Sequence, residues 1–89
     1  MEVSFSDSFK KVFSKRIKST EIEKVFWNRL ELFINDPYDS RLKTHKLSGK
    51  LNGLWSFSIE YDLRVVLFFT KDKPKKAVFI DIGTHDEVY

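Results

Sequence analysis

The chain has 89 residues, enough for one compact domain with a single modest core. A hydrophobic content of 42%, with 16% aromatics, excludes a disordered chain, and the absence of cysteine excludes a disulfide framework and a thiolate metal centre. A net charge of +3, from 16 basic and 13 acidic residues, is too small to establish nucleic-acid binding by itself.

The distribution of charge says more than the total. Lys10, Lys11, Lys15, Arg16 and Lys18 form one basic segment, Arg41, Lys43, Lys46 and Lys50 a second, and Lys71, Lys73, Lys75 and Lys76 a third. Such clusters either solvate exposed faces or attract phosphate backbones. The first residues contain no apolar run of signal-peptide length, and no segment is long and apolar enough to span a bilayer. A cytoplasmic, membrane-free domain covering residues 1–89 is the expectation.

In chain order, EVSF alternates and predicts a first strand. DSFKKVFSKRIK places Phe9, Val12 and Phe13 at helical spacing. In STEIEKVFWNRLELFIND, Thr20 and Glu23 form a capping-box pattern, and Ile22, Val25, Phe26, Leu30 and Phe33 line one face of a longer helix that Pro37 limits. The period then changes. WSFSIEY alternates as a half-buried strand, with Ser56, Ser58 and Glu60 on the polar side. A tight turn near YDL leads into RVVLFF, apolar on both faces and therefore central. TKDKPKK is a polar turn, and AVFIDI a last strand ending at Gly83. Strand, helix, helix and a three-strand antiparallel meander define an α+β domain. Both helices cover one sheet face, which leaves the other open for a ligand.

Familiar catalytic patterns are missing. The three glycines fit no nucleotide-binding loop, no serine lies in a nucleophile elbow, and the two histidines have no metal-ligand spacing. Any catalysis must use scattered acid–base and cationic groups. His45 sits in a polar loop entering the sheet, and His85 just past the last strand. Arg64 opens the central strand, an unusual place for a charge. Each has an ordinary explanation: a surface histidine, an arginine reaching solvent or pairing with Glu60 or Asp62, and, for Tyr89, a hydrophobic anchor.

The stretch HKLSGKLNGLWSFSIEYDLRVVLFF, followed by DIGTHDEVY, resembles the RelE/ParE superfamily of bacterial toxins, and within it the YafQ- and YoeB-like ribonuclease branch. The likeness is strongest over residues 45–69 and 81–89; the helical half matches in element order. It implies a RelE-like fold and the toxin half of a toxin–antitoxin pair, with a cognate antitoxin as partner. It further implies cleavage of mRNA in the ribosomal A site without a metal or other cofactor, by attack of a 2′-hydroxyl on the adjacent phosphate. By the same resemblance, His45 is an acid or base, Arg64 stabilises the scissile phosphate, His85 is the late catalytic histidine, and Tyr89 stacks or shares in proton transfer. Asp62 matches an acid implicated in YafQ-like members. Lys46 and Lys50 are expected at RNA phosphates on charge alone. Two positions depart from the pattern: Ser58 stands where YafQ-like members have a histidine, and Asp81 where they have an arginine. Two alternatives remain at this point, a ParE-like gyrase-binding toxin that cuts nothing and a degenerate relative that only binds antitoxin.

Overall fold

A computed structural model describes residues 1–89. Strand β1 (Glu2–Phe5) turns Val3 and Phe5 onto the core and leaves Glu2 and Ser4 in solvent. Helix α1 (Asp7–Arg16) starts where the Ser6 hydroxyl accepts the Phe9 N–H at 3.1 Å. Asp7 in its first turn and Lys15 and Arg16 in its last complement the helix dipole. Phe9 is buried, with Val12 and Phe13 packed beside it, as their spacing predicts.

Helix α2 (Glu21–Asn35) buries Phe26, Leu30 and Phe33 and ends just before Pro37. Its expected capping box is displaced by one residue. The Thr20 hydroxyl donates backwards to the Ile17 carbonyl, and the Glu23 carboxylate accepts from the Ser19 N–H at 2.7 Å instead. The cause is the left-handed turn at Ser19 (φ 67°), which aims that N–H at the helix start. Hydrogen bonds from the Trp27 indole, and then from Ser19, hold the Glu23 carboxyl below its usual range.

The connection to the sheet is anchored at Asp39. Its carboxylate takes the side chain of Arg41 at 2.8 and 3.0 Å and the Arg41 N–H at 2.9 Å. The Arg41 side chain, and then its backbone N–H, lower the Asp39 pKa to about 2, so the anchor holds at neutral pH and is lost only as the pH falls towards that value.

The sheet contains five strands in the order β1-β5-β4-β3-β2: β2 (His45–Lys46), β3 (Trp55–Glu60), β4 (Leu63–Phe69) and β5 (Lys76–Thr84). The expected meander of β3, β4 and β5 is present, with β4 central. The sequence did not reveal the two-residue edge strand β2, the short helical turns Ser40–Leu42 and Gly49–Leu51 on either side of it, or a single closing turn, α3 (His85–Val88). β1 lies parallel to β5 at the sheet edge: the α1–α2 crossover brings the chain back into β2 opposed to β1, and the three antiparallel steps from β2 to β5 reverse it once more overall.

Both long helices pack on one sheet face, α1 against β5 and α2 against β3. The core between them is aromatic. The Phe79 ring lies 5.3 to 5.7 Å from those of Phe5, Phe9, Phe33 and Phe57, the separation at which tilted and edge-on pairs add to area burial. A β-bulge shapes this face. Leu67 pairs with Phe79 but Val66 pairs with Asp81, so Ile80 is an extra residue. Phe79 and Ile82, three apart, therefore both reach the core. Phe79→Ala should remove about 3–5 kcal/mol, much of a small domain's stability. Urea unfolding checks this through a lower midpoint at unchanged slope; a midpoint like the parent's would show that the ring is not a keystone.

Candidate active face of the sheet

Opposed residues of an antiparallel ladder share a face. His45 pairs with Ser56, Ser56 with Val66, and Val66 with Asp81, so these four form one row across the helix-free face. The adjacent row is Ser58, Arg64 and Gly83. The register thus brings His45 and Arg64, separated in sequence, onto one surface.

α3 folds back over this face and packs on β4 and β5, yet it contains no buried residue. Polar contacts hold it instead. The Thr84 N–H donates to the Glu87 carboxylate at 2.8 Å, Arg16 of α1 pairs with the same carboxylate, and the Tyr89 N–H donates to the His85 carbonyl at 3.0 Å. The Tyr89 hydroxyl donates to Ser56 Oγ at 2.5 Å. Its ring stands edge-on to the His85 imidazole at 4.7 Å, with the Arg64 guanidinium 5.8 Å from its centre, within cation–π range. Tyr89 therefore joins His85 to Arg64.

Each expected site residue can now be placed. Arg64, second in β4 rather than first, keeps its side chain 25% exposed and makes a loose 3.5 Å contact with Asp62 in the β3–β4 turn. His85 opens α3 with its imidazole largely in solvent and Nδ1 3.5 Å from Asp86. His45 is not in a loop. It lies on β2, and its Nδ1 is 2.9 Å from the Lys43 carbonyl. A carbonyl only accepts, so this contact places the proton on Nδ1 and leaves Nε2 as the bare nitrogen of the neutral ring.

The lysines do not join the group. Lys46 pairs with Trp55, facing away from His45, and its ammonium lies 5.5 Å from the Trp55 ring. Lys50 belongs to the short helical turn Gly49–Leu51 between β2 and β3 and makes no ion pair with the site residues. Asp81 shares the row of His45, and its carboxylate accepts the neighbouring Ile82 N–H at 2.8 Å.

Ser56 is the functional neighbour that sequence reasoning missed. Read as a solvent-side residue of an alternating strand, it is fully buried because Tyr89 covers it. No local pattern reports this, since the covering residue is 33 positions away.

Gly83 makes the fold-back possible. A Cβ there would lie 3.0 Å from Glu87 Oε1, 3.1 Å from Glu87 Cβ and 3.2 Å from Val88 Cγ1. Gly83→Ala should therefore shift α3 by a few tenths of an ångström away from the sheet. In NMR spectra the contacts between Tyr89 and Ser56 should weaken and the Tyr89 N–H exchange faster, with the phenylalanine core unchanged; an unaltered Tyr89–Ser56 contact would disprove the tight-packing account.

The family model for the bacterial toxin of the type II toxin–antitoxin system, YafQ, matches residues 1–89. No curated protein sequence matches the chain. Among solved structures, a copper-bound mutant toxin from Helicobacter pylori superposes with a TM-score of 0.77 at 24% identity, covering 100% of this chain and 99% of that one. The YoeB/ParE toxin from Agrobacterium tumefaciens gives 0.75 at 17% identity, covering 96% and 99%. YafQ in the E. coli DinJ–YafQ complex gives 0.71 at 22% identity, covering 99% and 97%. The fold is thus that of the RelE-like toxins, and the full-length family match shows that the chain belongs to the YafQ family of type II toxin–antitoxin toxins.

Proposed function

We propose that this toxin is an endoribonuclease that cleaves mRNA in the ribosomal A site and is held inactive by a cognate antitoxin in the cytoplasm. One observation carries the reading: Arg64, His85 and Tyr89 touch or adjoin one another on the sheet face that also holds His45. The chemistry follows from what such groups do. Nε2 of His45 takes the proton from a ribose 2′-hydroxyl. The 2′-oxygen bonds to the adjacent phosphorus, the bond from phosphorus to the 5′-oxygen breaks, and His85 gives a proton to that departing oxygen. The products are a 2′,3′-cyclic phosphate and a 5′-hydroxyl. Arg64, charged at any working pH, offers paired donors to the phosphate oxygens as negative charge grows on them. Tyr89 orients Arg64 and His85 and presents a ring to a base. Asp62 steadies the guanidinium before RNA binds.

A second reading rests on Asp81. A carboxylate in the row of His45 opposes phosphate binding, as expected of a relative that binds antitoxin and cuts nothing. The Ile82 N–H that Asp81 accepts offsets part of that charge.

Cleavage on programmed ribosomes, read by mapping mRNA ends, separates the two readings. Arg64→Ala should lose roughly 100- to 1,000-fold in rate, the usual effect of removing a preorganised donor to developing charge. His85→Gln should lose about 100-fold or more and flatten one limb of a bell-shaped pH profile. Both variants should remain folded. Unchanged mRNA ends on expressing the parent toxin would favour the binding-only relative, and full activity in a folded Arg64→Ala protein would remove its phosphate role. Co-expression with the antitoxin should abolish cleavage and yield a complex that survives moderate salt; persistent cleavage within a confirmed complex would place the antitoxin away from this face.

A further inference from the structure

The turn between β3 and β4 has only two residues, Tyr61 and Asp62, because Glu60 pairs directly with Leu63. Tyr61 has φ 32° and is 101% exposed. Both facts are unusual. The first position of a two-residue hairpin loop with positive φ favours glycine, asparagine or aspartate, and a bulky side chain there is strained. A large aromatic ring exposed without a packing partner returns nothing to the fold. The other exposed aromatics differ: Trp27 donates to Glu23 at 2.9 Å, Tyr38 packs edge-on to Trp55 at 5.7 Å, and Tyr89 bonds Ser56. Strain retained at a position that gives no packing in return points to function.

The turn also sits beside the proposed chemistry. Asp62 contacts Arg64 at 3.5 Å, and the three residues from Tyr61 to Arg64 span at most about 10 Å even when fully extended, so Tyr61 lies beside the site at the end of the strand that bears Arg64. Its sequence neighbours decide what it can bind. Glu60 and the half-exposed Asp62 repel phosphate, which leaves the neutral π-face of the phenol as the recognition chemistry. Unpaired bases stack on such faces, largely irrespective of sequence. We propose that Tyr61 is a stacking platform for a single unpaired nucleobase of the RNA, flanking the nucleotide whose phosphate Arg64 holds; this rests on the ribonuclease reading above.

The test compares the parent with Tyr61→Asn and Tyr61→Trp on programmed ribosomes, using mRNA either intact or carrying one abasic nucleotide at successive positions around the cut. Asparagine suits the left-handed turn, so Tyr61→Asn should melt at or above the parent temperature while its kcat/KM on intact mRNA falls about tenfold, within the range of a lost base–aromatic stack. Tyr61→Trp should retain parent activity. At one abasic position the parent should slow to the Tyr61→Asn level, and the Asn variant should lose nothing more. If Tyr61→Asn cleaves like the parent while Arg64→Ala is dead, the nuclease reading stands and the platform is wrong. If Tyr61→Asn slows cleavage equally at every abasic position, the ring does not act through a base. If it weakens only antitoxin binding, Tyr61 is a protein contact. A parent that cleaves no mRNA fails at the earlier step, and the platform falls with it.

Discussion

The pairing of β4 with β5 is the constraint on which both the core and the active face depend. β4 is buried on one side by the phenylalanine cluster and bears Arg64 and Val66 on the other. Side chains alternate with period two, so a slip of one residue would drive Arg64 into the aromatic core and expose Leu63 and Val65. The burial of Val65 and Leu67 therefore fixes where Arg64 points. The bulge at Ile80 adds a second adjustment: without the extra residue, Phe79 and Asp81 would share a face, and the carboxylate would enter the apolar core. The bulge directs Asp81 outward and returns Ile82 to the core immediately before Gly83 and the closing turn.

The two sides of the sheet differ in what holds them. The helix side is a dense set of aromatic contacts whose loss is felt globally. The active side is closed by a four-residue turn with no buried residue, one ion pair, a few hydrogen bonds and the Tyr89 ring. Segments of this kind open at low free-energy cost compared with the global unfolding of a domain. Arg64 is thus placed on a rigid strand, while His85 and Tyr89 ride on a segment that adjusts more readily. The link from Arg16 to Glu87 makes α1 part of that support, so a change at the end of a helix on the far face reaches the site through one side-chain pair.

Much of this was legible in the sequence because the periodicities are strong. The alternation of WSFSIEY and the doubly apolar RVVLFF give β3 and a central β4, and the Phe26, Leu30 and Phe33 stripe gives α2. The misses share one physical cause: they depend on contacts between distant segments. Ser56 reads as solvent-facing until Tyr89 covers it. His45 reads as a loop residue because a two-residue edge strand has no period of its own and exists only by pairing with Trp55 and Ser56. Lys46, one residue on, lies on the opposite face for the same reason, which charge counting along the sequence cannot reveal. The Thr20–Glu23 pattern is present but is used by Ser19, because a left-handed residue moved the donor.

Under the ribonuclease proposal, the distribution of positive charge divides the work between approach and chemistry. The lysines of α1 lie on the helix side, where Lys10 and Lys18 rim an aromatic-lined cavity of about 320 Å³ between α1 and α2. The domain is at least 26 Å across, while ionic screening at physiological salt acts over about 8 Å. Those charges can steer the toxin towards a polyanion or an acidic partner but contribute little to a transition state on the opposite face. Arg16 reaches that side only with its charge committed to Glu87. Arg64 is consequently the one cation built into the rows of the active face, partly covered by Tyr89 and opposed by Asp62 and Asp81. Catalysis resting on a single guanidinium is more sensitive to its placement than catalysis spread over several lysines. That dependence gives the Tyr89 clamp on Ser56 its importance: a hydrogen bond to a buried serine holds the ring against which the Arg64 guanidinium is set.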